Sequence, residues 1–235
     1  MNAAAVKQDL EKLSNKKRAA VSRRFFKCGS GEYGEGDRFI GVSVPQLRSL
    51  AKKYQESSLQ TIEQLLHDPV HECRLFAVFV LVDRFQRGDE AVRKTVVDLY
   101  VKSIPWINSW DLVDASAYQI LGIHLLSRDR SLLDQFAKKD HLWTQRIAIV
   151  ATYAFIKEGQ CAYTFHIANI LRSHPHDLIH KAVGWMLREA GKRDEKSLRK
   201  FLKLRYKTMP RTMLRYAIEK FPNEERMMYL TGVVL

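Results

Sequence analysis

RLFAVFVLVDRF, residues 74–85, places Leu75, Val78, Phe79, Val82 and Phe85 at steps of three and four, the spacing of an α-helix with a buried face. Comparable stretches follow: QRIAIVATYAFI from Gln145, HKAVGWMLREAG from His180 and TMLRYAIEKF from Thr212. Each begins shortly after a turn, at Asp68-Pro69, Asp140-His141, His174-Pro175 and Met209-Pro210, and a further turn falls at Pro105-Trp106. Between Pro69, Pro105, His141, Pro175 and Pro210 the steps are 36, 36, 34 and 35 residues. A repeat of this length with two helices per unit is the pattern of an α-solenoid, in which each helix pair buries its apolar side on its neighbours. The expected fold is all-α, a curved superhelix whose concave face is lined by the second helix of each pair. An irregular helical bundle with coincidental spacing is the competing reading, and the recurrence of matched turns makes it the weaker one.

Toward the N-terminus the pattern is less regular. Residues 6–27 read as one basic helix, and CGSGEYGEGDRFIGVSVPQLRSLAKKY, residues 28–54, supplies a glycine-rich loop leading to a helix that starts at Pro45. Gly29, Gly31, Gly34 and Gly36 invite a phosphate-cradle reading. No lysine follows at P-loop spacing and no strand precedes, so a connecting loop is the better reading. The chain is therefore expected to be a single domain over 1–235, with basic helices and the loop in 1–53 and repeats of about 35 residues in 54–235.

The chain has 39 Lys+Arg against 26 Asp+Glu, a net charge of +13. That excess points to a polyanionic partner, although charge-rich helices also serve simply as solvated faces. It is concentrated at the ends: residues 1–53 carry 12 basic and 5 acidic side chains, 54–185 carry 14 and 15, and 186–235 carry 13 and 6. Two basic ends flanking a neutral middle suit a body that grips a phosphate backbone. Three cysteines, Cys28, Cys73 and Cys161, include no CxxC pair, which excludes a disulfide framework or zinc ribbon and fits a reduced, cytoplasmic protein. The longest apolar run, Leu75 to Val82, is far shorter than the roughly 20 residues of a membrane span. The N-terminal segment also lacks the apolar core of a signal peptide.

The segment PWINSWDLVDASAY, residues 105–118, is the most unusual. On a helix Trp106, Trp110 and Asp114 form one stripe, while Asp111 points elsewhere. Trp143 and Arg146 stand one turn apart, and Trp185 lies on one face with Lys181 and Arg188. If equivalent helices line one face, Trp110, Asp114, Arg146 and Trp185 converge. A carboxylate with indole faces stabilises the positive charge that develops on a sugar when a glycosidic bond breaks. A purine already made cationic by alkylation leaves neutral and needs no general acid, so one carboxylate suffices. Structural tryptophans and a capping or salt-bridged Asp114 are the competing reading. His166, His174, His176 and His180 form no metal signature and read as solvated or capping histidines, and the cysteines read as packed hydrophobes. No metal and no cofactor are expected.

The stretches GVSVPQLRSLAKKY, SWDLVD, LWTQRIAI and KAVGWMLRE together resemble the bacterial AlkD-type alkylpurine DNA glycosylases, which are built from HEAT-like repeats; the resemblance covers nearly the whole chain. It implies that Asp114 is the catalytic aspartate, that Trp110 and Trp185 contact the damaged nucleotide, and that Arg146 contacts backbone phosphate. It further implies removal of cationic lesions such as N3-methyladenine and N7-methylguanine from double-stranded DNA without a conventional base-flipping pocket. Two departures stand out: Ser109 occupies a position where the family often has a second tryptophan, and the GEYGEGDRFIGV stretch is a variant. The expected protein is a monomeric, cofactor-independent, monofunctional glycosylase, with Lys181 and Arg188 as further DNA contacts. The alternative is a non-catalytic HEAT-repeat module that binds branched or damaged DNA, or a scaffold protein.

Overall fold

Capping chemistry sets the helix boundaries in the computed structural model, which describes residues 2–233. The chain divides into two compact units, Met1–Ser116 and Ala117–Leu235. The first opens with α1 (Ala3–Lys12) and α2 (Lys16–Phe25). The single helix expected over 6–27 is thus broken. The Asn15 side chain accepts the Arg18 backbone N–H at 2.9 Å and starts a new helix there, as an N-cap asparagine does. α3 (Val44–Lys53) starts one residue before the expected Pro45, because Ser43 is its N-cap and Gln46 Oε1 accepts the Ser43 N–H at 3.0 Å.

α4 (Leu59–Leu66), α5 (His71–Arg87) and α6 (Glu90–Lys102) follow. A 3₁₀ turn, Ile104–Trp106, then separates α6 from α7 (Trp110–Ala117). α5 packs against α1, α3, α4 and α6. Phe76, Ala77, Val78, Val80 and Leu81 on it are fully buried, so the middle of this helix, residues 75–82, is apolar all round, as the core of its unit should be, while its first turn carries buried polar groups. Each such large side chain contributes about 1.5–3 kcal/mol by leaving water. One isolated parallel bridge, Arg38 to Val70, ties the segment after the glycine-rich loop to the start of α5.

The second unit begins with a π turn, Tyr118–Gly122. It continues through α8 (Ser131–Lys138), α9 (Leu142–Ala151), α10 (Tyr153–Lys157), α11 (Ala162–Leu171), α12 (Asp177–Gly191), α13 (Glu195–Lys203), α14 (Arg211–Ala217) and α15 (Asn223–Thr231). α12 is its centre, packed on α9, α11, α13 and α14. A Cβ at Gly184 would lie 2.5 Å from Tyr216 Cβ and 2.6 Å from the Met213 carbonyl, so glycine is what lets α12 and α14 approach so closely.

The expected turns at Asp68-Pro69, Asp140-His141, His174-Pro175 and Met209-Pro210 join α4 to α5, α8 to α9, α11 to α12 and α13 to α14. The architecture is the all-α, HEAT-like helical repeat read from the sequence. Of the four histidines read as solvated or capping, His176 caps α12, its Nδ1 accepting the Leu178 N–H at 3.1 Å, whereas His166 pairs with Asp134, His174 Nε2 meets Gln145 Oε1 at 2.8 Å and His180 Nε2 meets the His174 carbonyl at 2.5 Å. His141 caps α9, its Nδ1 accepting the Thr144 N–H. Cys73 and Cys161 are buried, and burial pushes the Cys73 thiol up to about 12, away from nucleophilic use.

Candidate functional site

α7 carries Trp110 and Asp114 four residues apart on one face, both partly exposed. The stripe expected to include Trp106 does not form. Pro105 and Trp106 lie in the 3₁₀ turn, the chain passes through Ile107, Asn108 and Ser109 before α7 begins, and the Trp106 ring stacks on His67 at 5.2 Å. Leu112, on the opposite side of α7, and Val113, at the flank of that face, are fully buried, which fixes the helix against its unit. The carboxylate of Asp114 stands near the buried Tyr100 phenol, which donates to or accepts from Ser116 Oγ at 2.9 Å. Burial pushes that phenol up, and the Asp114 charge adds to the effect.

Trp110 is not alone. Phe26 stacks on it at 5.3 Å with the planes 13° apart, and Phe25 meets it edge-on at 5.9 Å. Phe25 is 64% exposed at the end of α2, a helix with no buried residue that carries Lys16, Lys17, Arg18, Arg23 and Arg24 and no acid. Sequence reading passed over these aromatics, although RRFFK, residues 23–27, interleaves cations and aromatics as nucleic-acid surfaces do.

Beneath this surface lies a buried network that sequence reading also missed. His71, at the start of α5, has Nδ1 at 3.0 Å from Asp37 Oδ2 and Nε2 at 2.8 Å from Asp111 Oδ2. Arg74, one turn on, donates to Asp37 Oδ1 at 2.5 Å and to the Asp68 carbonyl at 3.0 Å. The Phe39 ring stacks on the imidazole at 4.5 Å, and Phe26 packs on both rings. Burial alone would push the His71 imidazolium down, but Asp111 and Asp37 outweigh it and raise it to about 9. Burial likewise opposes the Asp37 carboxylate, yet His71 and Arg74 hold it below the usual carboxylate range.

The glycine-rich loop delivers Asp37. Its own turns close on Glu32, which accepts the Gly29 N–H at 2.8 Å, and on Glu35, which accepts the Gly31 N–H at 2.8 Å. Gly36, with φ +86°, makes the final left-handed turn before Asp37. The start of α5 then grips the outgoing chain: the His71 N–H donates to the Arg38 carbonyl at 2.8 Å, and the Glu72 carboxylate accepts the Ile40 and Gly41 N–H groups at 3.1 and 2.7 Å.

In the second unit Trp185, on α12, is partly exposed and faces Tyr153 at 6.0 Å, which in turn meets Tyr118 edge-on at 5.2 Å. The Lys157 ammonium lies 5.5 Å from the centre of each tyrosine ring, close enough for a cation–π contact. Lys181 is ion-paired with Asp177 at 2.7 Å one turn back, and Arg188 with Glu219 and, at 3.1 Å, with Glu189. Arg146 is only 5% exposed and donates to the Leu178 carbonyl at 2.6 Å, tying α9 to the first turn of α12. Trp143 is buried beside it.

Residues 6–221 match the DNA alkylation repair enzyme family. The chain belongs to that family. Among solved structures it is similar to a chain described as "Predicted DNA alkylation repair enzyme from Enterococcus faecalis", with a TM-score of 0.71 and 17% identity over 89% of this chain and 97% of that one; at that identity the likeness concerns the fold. No curated protein matches the chain. As a DNA alkylation repair enzyme the protein has DNA for a substrate, and no helix among the described residues is long and apolar enough to cross a membrane.

Proposed function

We propose that the protein is a monofunctional DNA glycosylase that hydrolyses the N-glycosidic bond of cationic alkylated purines, of the N3-methyladenine and N7-methylguanine class, in duplex DNA. The observation that carries this reading is the partly exposed face of α7, where Trp110 and Asp114 stand four residues apart beside an aromatic stack and a basic helix. The bond between the sugar C1′ and the purine nitrogen breaks, its electron pair goes to the cationic base, and the base leaves neutral. Positive charge grows on the sugar ring, where the Asp114 carboxylate offsets it and the Trp110 indole face adds a cation–π term. A water oxygen then bonds to C1′ and its proton passes by way of Asp114 to solvent. The leaving group needs no general acid and the step needs no metal or cofactor, because alkylation has already supplied the charge. In the second unit Trp185 contacts the damaged nucleotide, and Lys181, Arg188 and Arg146 are the phosphate contacts. Of these, Lys181 has the most exposed side chain. The enzyme works as a monomer.

The test is release of free methylated purine from methylated duplex DNA by the wild type and by Asp114→Asn, with duplex affinity measured in parallel. Loss of one transition-state carboxylate should lower the single-turnover rate by about 10²-fold or more while affinity stays within about two-fold. Salt-sensitive binding without release from either protein would replace catalysis by a DNA-binding role.

A further inference from the structure

The glycine-rich loop, the start of α5 and the start of α7 meet at one imidazole, and that meeting has no part in the chemistry described so far. Both nitrogens of His71 face carboxylate oxygens, Asp37 Oδ2 at 3.0 Å and Asp111 Oδ2 at 2.8 Å. A neutral imidazole has one N–H, so it would turn a lone pair toward one of the two carboxylates; only the imidazolium donates to both. His71 and Asp37 are nearly inaccessible, with side chains 2% and 5% exposed, and a buried charge held between two partners resists rotation. Asp111 follows Trp110 directly in the first turn of α7, so whatever fixes Asp111 fixes the rotation of that turn. A second route runs through rings: Phe39 lies on the imidazole, Phe26 on Phe39, and Trp110 on Phe26.

We propose that His71 is a positioning residue for the glycosylase site: as an imidazolium bridging Asp37 and Asp111, it sets the orientation of Trp110 and of the face of α7 that Trp110 shares with Asp114. The catalytic part of this proposal rests on the function argued above, whereas the positioning of Trp110 does not. It also gives the glycine-rich loop a purpose, since the loop's last turn at Gly36 is what brings Asp37 under the ring.

The pH dependence follows from the groups around the ring. Facing His71 are Asp37 from the loop, Asp111 from α7 and Arg74 on its own helix; Phe26 and Phe39 cover the rest with apolar surface. The imidazolium is raised from 6.5 to about 9, so the clamp is fully formed below the unfolded-state value and is released as pH rises through about 9.

The experiment compares wild type, His71→Gln and Asp111→Asn by three readouts: the indole N–H resonance of Trp110 in the free protein, single-turnover release of 7-methylguanine from a methylated duplex, and affinity for that duplex. His71→Gln keeps a donor but cannot donate to both carboxylates as a cation. Asp111→Asn keeps the shape and removes the charge at a site that is partly exposed, so it provides a folded variant if the first does not fold. Both should move the Trp110 resonance and lower the rate about ten-fold or more, with affinity within about two-fold. In the wild type the resonance should shift, and the rate fall, as pH rises through about 9, and in His71→Gln both should be flat there. A folded variant with wild-type rate and an unmoved Trp110 resonance overturns the proposal, and so does a rate loss matched by an equal loss of affinity. A wild type that releases no base, but whose Trp110 resonance follows the His71 titration, overturns the glycosylase reading and leaves the positioning of Trp110 supported.

Discussion

At the scale of single residues, the arginine and the lysine expected to meet DNA phosphates occupy different environments, and their substitutions should separate. Arg146 is buried and donates to the Leu178 carbonyl, a helical carbonyl of α12 that also accepts its own i+4 N–H, so its removal costs the tie between α9 and α12 and leaves a gap where the side chain was buried. Arg146→Ala should lower stability by about 1–3 kcal/mol, read as a fall in Tm of roughly 2–12 °C for a chain of this size. Lys181 has a side chain 43% exposed and an ion pair within its own helix, which is worth only a few tenths of a kcal/mol. Lys181→Ala should leave Tm within about 1 °C, weaken duplex binding regardless of sequence and reduce the slope of log K against log salt by about 1. Binding that is lost in Arg146→Ala only in proportion to the unfolded fraction would make that arginine a structural tie. The residue types at both sites were legible in the sequence, but their burial was not, because WTQR and HKAVGW give the same helical spacing whether the cation faces water or a neighbouring carbonyl.

At the scale of elements, what could be read was what chain chemistry dictates locally. Proline fixes its own φ and disfavours helix in the residue before it, so the turns at Pro69, Pro175 and Pro210 were visible without any knowledge of the fold. The break at Asn15 carries a weaker signal, a Ser14-Asn15 pair with no proline or glycine beside it in a run of good helix formers. The clamp at His71 was out of reach for a different reason: its partners lie 34 and 40 residues away, and no local spacing encodes a contact at that distance. Gly184 shows the same division. GW announces a special position, but only the structure shows that the missing side chain faces Tyr216 and Met213. Gly184→Ala forces the α12 and α14 backbones apart and should destabilise by about 1–3 kcal/mol, with a Tm several degrees lower. Trp185 turns outward on the next position, so the same substitution should also slow base release if the α12 surface contacts the lesion. An unchanged Tm would show that α14 slides without cost.

At the scale of the molecule, the basic excess is split between two segments that differ in how freely their cations are held. The excess lies in residues 1–53 and 186–235, one in each compact unit, so each unit carries its own basic segment. In the first unit the charge is displayed on α2, whose five cations have no acid among them and whose residues are all at least partly exposed. In the second, several cations are already engaged by the protein itself: Arg188 by Glu219, and Arg199 by Glu195 and Glu225. Ion pairs of this kind reduce what is left to neutralise phosphate, so equal net charge in the two segments does not mean equal contribution to binding. Reversing Arg23 and Arg24 to glutamate should therefore cost more duplex affinity than reversing Arg199 and Arg188. The first pair should also reduce the slope of log K against log salt by about 2, since each phosphate contact contributes about 0.9 to that slope. Affinity measured across a salt series for the two double variants decides it. Equal losses from both would mean that the internal ion pairs open on DNA, and a wild-type slope near zero would remove backbone phosphate as the main partner.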